Sequence, residues 1–334
     1  MKRLASLILA SGFAFAAPHP VLADITVAAS IKPVHSLVAA VMQGTGEPGL
    51  IVEGAGSPHT YALKPSQARL LQEADLVFWV GPTLEAFLEK PLETIAAKAE
   101  AVELFDVAGL VHLPYREGTT FERHKHDADE PDNEHDHAAE GHDHAAEGHG
   151  HEDEGHGQAE HGVDGHVWLD PVNAKALVDE IAARLAAADP RNAATYRANA
   201  ASTRQRLDAL IGDVQAKIDP VRDRPFIVFH DAYQYFENRF GLQAAGSVTL
   251  SPEHAPGAER IAAIHAKIGQ LSAACVFSEP QFEPKLIQTV IEGTPARSGV
   301  IDPLGASLPA GPDLYFALIG NMAKALHDCL AGES

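Results

Sequence analysis

The stretch Leu76-Val77-Phe78-Trp79-Val80 is short, apolar and rich in β-favouring side chains, and from residue 83 to 98 the pattern turns helical. A short buried strand followed at once by a helix is the repeating unit of a parallel sheet, because parallel neighbours need a crossover between them. The alternation extends in both directions. Residues 25–30 and 50–53 are two more β-rich runs, and 66–73 is another helical stretch, with Ser66 and Thr83 as candidate N-caps. Further on, Asp170-Pro171 reads as the N-cap and first turn of a helix to about residue 187. Asp189-Pro190 opens a second helix that continues to about residue 218; at 1.5 Å per residue it spans roughly 40 Å. Residues 225–229, 242–250, 274–278 and 299–301 then read as strands, and 257–271, 283–292 and 313–330 as helices. The predicted fold class is α/β: two lobes with mostly parallel sheets, joined by a long, rigid helix.

The whole chain sets the bounds on function. Its 334 residues suggest two domains at roughly 100–200 residues each, and 46% hydrophobic content is enough for a proper core. A net charge of −21 argues against nucleic-acid binding, which needs a basic patch to release counterions. The N-terminus has a charged start, Met1-Lys2-Arg3, an apolar stretch over 4–17, and Val21-Leu22-Ala23 before Asp24. These are the parts of a cleavable export leader over 1–23. No cysteine lies near its end, so a lipid anchor is not expected. In an oxidising compartment the two cysteines, Cys275 and Cys329, suggest one disulfide; two buried free thiols are the alternative.

Residues 117–164 differ from everything around them. They hold ten of the 19 histidines, 16 acidic and two basic side chains, a net −14 of the chain's −21. The run His135-Asp136-His137-Ala138-Ala139-Glu140-Gly141 repeats identically from His142 to Gly148. Such a segment has too little apolar surface to offset the entropy of ordering, and it is predicted to be a disordered surface insertion. The predicted division is therefore 24–188 for the first lobe with this insertion inside it, 189–219 for the linker helix, and 220–334 for the second lobe.

Three histidines outside the insertion stand at telling places. His59 follows the strand 50–53, and His230 ends the strand 225–229; His166 opens the ordered segment before Asp170. Ligands of open parallel sheets bind beyond the carboxyl ends of the strands. One histidine per lobe at such an end would face a common cleft, and Asp302, at the end of 299–301, holds an equivalent position. The alternative is that these are hydrogen-bonded loop histidines. His35, His112, His254, His265 and His327 read as structural or surface residues. Gly44-Thr45-Gly46-Glu47-Pro48-Gly49 spells a dinucleotide fingerprint, but it follows a helical pattern and precedes a strand, which is the wrong order.

Six segments carry a resemblance. They are Ser57-Pro58-His59-Thr60-Tyr61-Ala62-Leu63-Lys64-Pro65-Ser66, Ala74-Asp75-Leu76-Val77-Phe78-Trp79-Val80-Gly81, and His166-Val167-Trp168-Leu169-Asp170-Pro171. Val228-Phe229-His230-Asp231-Ala232-Tyr233-Gln234-Tyr235-Phe236, Val276-Phe277-Ser278-Glu279-Pro280-Gln281-Phe282 and Ile301-Asp302-Pro303-Leu304-Gly305 follow. In this order, with the leader and the His/acid insertion, the chain resembles the zinc-specific solute-binding proteins of bacterial ABC importers, the ZnuA type of the cluster A-I metal binders. The resemblance implies two pseudo-symmetric α/β lobes with one metal ion between them. It implies His59 and His166 as ligands from the first lobe, His230 from the second, and Cys275 paired with Cys329. Some zinc members have Glu immediately before the first ligand, where this chain has Pro58, so the fourth position is left between Asp302 and water.

The implied function is capture of Zn²⁺ as cargo in the periplasm by a monomer, and delivery to the membrane permease of an ABC importer, without catalysis. Manganese relatives are similar in fold but carry Glu where His230 stands; imidazole suits zinc and copper, and carboxylate suits manganese. Acceptors behind the imidazoles are expected to fix their tautomers; Asp231 is adjacent to His230, with its side-chain direction left open by the sequence. In the insertion, His124, His126, His135, His137, His142, His144, His149, His151, His156 and His161 form an expected set of weak, auxiliary metal sites. Competing readings are a periplasmic zinc buffer or chaperone without a permease, a manganese-type relative, and a zinc enzyme acting on esters or CO₂. The last lacks a general-base or nucleophile motif.

Overall fold

The computed structural model describes residues 25–116, 121, 162–249, 252, 256–282 and 285–332. The predicted leader and all ten histidines of the insertion lie outside the described residues.

Strands β1 (Val27–Ala29), β2 (Gly49–Leu50), β3 (Leu76–Trp79) and β4 (Glu100–Glu103) form one sheet, ordered β2-β1-β3-β4. Strands β5 (Phe226–Val228), β6 (Ala244–Ser247), β7 (Cys275–Ser278) and β8 (Arg297–Val300) form a second, ordered β6-β5-β7-β8. Every strand pairing is parallel. Numbered within its own sheet, each has the same order, so the chain builds one topology twice. The α/β expectation holds.

Helices α1 (Lys32–Val41), α2 (Pro65–Glu73), α3 (Pro82–Glu85) and α4 (Glu89–Thr94) serve the first sheet. The predicted single helix over 83–98 is broken by a 3₁₀ turn, Ala86–Leu88. Pro91 is the reason: it lacks an N–H and its ring crowds the preceding turn, so the helix restarts at Glu89 with Pro91 inside its first turn. Helix α5 (Pro171–Ala188) starts as read, with the Asp170 carboxylate accepting from the Val172 N–H at 2.8 Å. Helix α6 (Ala193–Ile218) is the long one, 26 residues or about 39 Å. It begins later than Asp189, because the Asp189 side chain holds a turn by accepting from Asn192 Nδ2 and the Tyr196 hydroxyl. Tyr196, Ala200, Thr203, Leu207, Val214 and Ile218 give it one buried stripe. Helices α7 (Gln234–Phe240), α8 (Ala258–Leu271), α9 (Lys285–Ile291) and α10 (Leu314–Ala331) complete the second half.

The core explains why the halves hold together. In β5 and the residue after it, Phe226 and Val228 enter one apolar cluster while Ile227 and Phe229 enter another. That is the period-2 alternation of a strand covered on both faces. The larger cluster also takes in the first sheet and buried faces of α1, α5, α6 and α10, so it runs through both lobes. The smaller lies behind the second sheet, with Ile264 and Ile268 of α8 and Ile287 and Val290 of α9. Each large aliphatic buried here stabilises by roughly 1.5–3 kcal/mol. Cys275 and Cys329 form the disulfide, Cα to Cα 6.1 Å, and tie β7 to α10.

One boundary is corrected. The insertion was expected to reach Asp164, yet residues 162–164 are part of the folded body. Val163 bridges to Pro114, the Asp164 N–H donates to Leu113 O at 2.9 Å, and Asp164 is fully buried. Its acidic side chain reads like the insertion that precedes it, but it is used as a buried acceptor.

Candidate metal centre

The shared topology sends the carboxyl ends of both sheets toward a common site. His59 lies in the turn beyond β2, and its neighbour Thr60 is held by an N–H···O bond to Ser57. His166 stands just before a 3₁₀ turn, Val167–Leu169, that leads into α5. His230 follows β5. The structure brings these three together: one nitrogen of each lies within 4.8 Å of the other two. Ring centroids are 5.4 Å apart for His59 and His166, 5.8 Å for His59 and His230, and 5.4 Å for His166 and His230.

Two of the imidazoles are held by buried carboxylates. His166 Nδ1–H donates to Asp164 Oδ1 at 2.6 Å, and the His166 backbone N–H adds a second bond to the same oxygen at 3.0 Å. His230 Nδ1–H donates to Glu279 Oε1 at 2.7 Å. An acceptor on Nδ1 puts the lone pair on Nε2, the form a metal needs, and fixes the ring plane. Asp164 is itself pinned from the second half of the chain, where the Tyr235 hydroxyl donates to its carbonyl at 2.7 Å.

The electrostatics follow from burial. Desolvation, and then the nearby His166 and His230, push His59 down to about 2, so it stays neutral. His230 is opposed by desolvation but pulled up by the Glu279 carboxylate, and the net direction is upward. The cavity between the rings is about 10 Å³. Pro58, Trp168, Phe282, Pro303 and Leu304 give it apolar walls, and Trp168 is fixed by donating to Pro303 O at 3.0 Å. Three imidazole nitrogens in a small pocket suit a four-coordinate zinc-like ion.

Asp302 is not among the candidate donors grouped with the three histidines. Its Oδ1 accepts from the N–H groups of Leu304 and Gly305 at 3.0 Å and from Gln281 Nε2 at 2.9 Å, and its Oδ2 accepts from Ala306 N–H. It organises the turn after β8 that carries Pro303 and Leu304. Asp231, whose direction the sequence leaves open, pairs with Arg116. Asp164 and Glu279 are the functional residues that sequence reasoning missed. The first is one more acid at the end of an acidic run, and its Asp-x-His spacing does not set it apart. Glu279 directly follows β7, the same strand-end position that singled out His230 and Asp302. Among the other histidines, His35 and His265 bond backbone carbonyls, as structural residues do, and His254 lies outside the described residues.

The family model described as ZnuA, zinc-uptake complex component A periplasmic, matches residues 27–329. A protein of Brucella suis biovar 1 named high-affinity zinc uptake system protein ZnuA is 55% identical over 333 residues, covering 99% of this chain and 100% of its own. The protein of that name from Paracoccus denitrificans is 40% identical over 335 residues, with full coverage of both chains. Among solved structures, a crystal structure of ZnuA superposes with a TM-score of 0.69 at 22% identity, covering 91% of this chain and 100% of its own. FpvC from Pseudomonas aeruginosa, in complex with Mn²⁺, gives 0.73 at 17% identity, covering 93% and 100%. At these identities the two structures speak for the fold alone.

Proposed function

Because the chain belongs to the ZnuA family of periplasmic zinc-uptake components, we propose that it captures Zn²⁺ between its lobes through His59, His166 and His230 and delivers the ion to an ABC-type permease. The coarser statement is plain: it is a periplasmic zinc-binding component of a zinc uptake system. The observation that carries the finer reading is the convergence of three imidazoles from both halves of the chain, two of them oriented by buried carboxylates. Zinc is cargo here, so the site must also open. In this reading the chain works as a monomer, the lobes shift modestly about α6, and docking on the permease exposes the ion. The histidines of the insertion gather zinc weakly and pass it to the tight site.

The test is a zinc-against-manganese competition titration on the chain from Asp24, with residues 122–161 removed. The expected result is one tight zinc site, lost in His230→Ala and little affected by manganese. No tight site would refute the assignment, and manganese displacing zinc at equal concentration would favour a manganese-type relative. Delivery is tested separately. Loss of the protein should abolish zinc-limited growth, with rescue only where a permease is present; rescue without one would make it a buffer or chaperone.

A further inference from the structure

Lys32 is a cation that its own helix does not explain. It opens α1 just beyond the carboxyl end of β1 and is only 8% exposed. A positive charge in the first turn of a helix opposes the macrodipole, and burying an ammonium is costly unless its donors are satisfied. The second half of the chain satisfies them. Nζ donates to Gly305 O at 3.0 Å, to Ala306 O at 2.7 Å and to Leu308 O at 3.0 Å. Asp302 supplies a compensating negative charge. Three carbonyls around one nitrogen match the three donors of an ammonium, which has no lone pair to repel them.

The turn that Lys32 grips is the one that walls the metal centre. Pro303 and Leu304 line the cavity together with His59, His166 and His230. Within the turn, Asp302 accepts from the N–H groups of Leu304, Gly305 and Ala306. From outside, two donors of the first lobe hold it. Trp168 Nε1 donates to Pro303 O at 3.0 Å, and Lys32 holds the three carbonyls that follow Leu304. Trp168 is anchored in turn, its carbonyl accepting from the Tyr315 hydroxyl at 2.6 Å. Leu304 therefore sits between two ties that cross from one lobe to the other. The apolar shell of a metal site controls the access of solvent to it, so whatever fixes this wall bears on how the ion leaves.

Resting on the zinc reading, we propose that Lys32 is a positioning residue for zinc retention: it clamps the 302–308 turn so that Pro303 and Leu304 stay over the cavity, and so sets the rate at which the ion leaves. It does this without touching the ion or its ligands. Loosening the turn lets water or a competing ligand reach the ion past the wall, and release speeds up. The three imidazoles keep their own supports, Asp164 behind His166 and Glu279 behind His230, so capture changes little.

The experiment loads the chain from Asp24 with Zn²⁺, mixes it with excess EDTA and follows release by stopped flow, in the parent and in K32M, K32Q, L304A and the K32M/L304A double variant. Urea unfolding without metal first shows which variants fold. K32M should release zinc roughly ten- to a hundredfold faster, the range for other outer supports of a metal site, with association within about threefold of the parent. K32Q keeps donors on a shorter arm and should fall between the two; it carries the test if K32M does not fold. Adding the Lys32 change to L304A should speed release by less than about twofold beyond L304A alone, because both act on one wall. In the metal-free chain, the amides of Leu304, Gly305 and Ala306 should lose hydrogen-exchange protection in the Lys32 variant. The inference is overturned if release from the folded Lys32 variant stays within about twofold of the parent, if its effect multiplies with that of L304A, or if those amides keep their protection. A parent that binds no zinc would overturn the zinc reading and the role in release with it, and the amide exchange would separately report whether the clamp exists.

Discussion

Arg116→Gln tests how the two halves are clasped beside the metal centre. Arg116 Nε donates to both oxygens of Asp231, at 3.1 and 2.9 Å. Its Nη1 and Nη2 donate to the two oxygens of Glu237 at 2.7 and 3.0 Å. The guanidinium side chain is 16% exposed and Glu237 only 5%, so the clasp is largely out of water. The shorter, neutral amide of a glutamine could not span both carboxylates. Losing one partner of a buried ion pair typically costs about 3–5 kcal/mol, because the remaining charge is left in a poor solvent. Glu237 keeps one bond, from the Ala244 N–H at 2.8 Å, and it can also take up a proton. Burial already raises its pKa, with the arginine as the main opposing influence. Without the arginine the folded-state pKa rises further above the unfolded value near 4.5. The folded variant then binds more protons than the unfolded chain, so its stability rises as pH falls through that raised value. The expected loss is therefore about 3–5 kcal/mol at pH 8 and distinctly less at pH 5. Urea unfolding of the metal-free chain at both pH values, followed by circular dichroism, measures it. A loss under about 1 kcal/mol at pH 8, or one that grows on acidification, would refute the reasoning.

Three further outcomes are expected. Removing residues 122–161 should leave the tight zinc site intact, whereas removing 122–164 should weaken it roughly ten- to a hundredfold, because Asp164 goes with the segment; isothermal titration of the two deletions decides this. Zinc affinity should fall as pH drops toward 5, because the raised His230 becomes protonated while His59 stays neutral. In Glu279→Gln, His230 loses the charge that raises it, so that fall should begin at lower pH, as a competition titration across pH will show. Replacing both Cys275 and Cys329 by Ala should cost about 4 kcal/mol in the chain-entropy model for a separation of 54 residues, with zinc stoichiometry unchanged; thermal melts with parallel metal analysis check both halves of that statement.

The strands that position the ligands were legible because burial on both faces leaves an unmixed apolar run, as at Leu76–Trp79 and Phe226–Val228. β4 was not, because Glu100, Ala101 and Glu103 stand around a single buried Val102 at a sheet edge. An edge strand pairs on one side only and tolerates charge. α7 was hidden for a different reason: seven residues, mixed aromatic and charged, offer too few turns for a helical period to emerge. At the site, the three histidines could be read from strand ends and family motifs. Their acceptors could not, since Asp164 is one acid after a run of acids, and nothing along the chain says that it alone turns inward. Asp302 had the right chemistry and the right strand end, but three backbone amides claim its oxygens first.

The last helix has a bearing on how the molecule comes into being. α10 packs against α1 and α6, and its buried face belongs to the same cluster as the first sheet. The opening strand of the chain therefore waits for the closing helix before its covering is complete. A chain without α10 would hold His59 and His166 but leave the apolar faces of α1 and α6 uncovered. Only a chain that includes α10 covers this core and closes its disulfide.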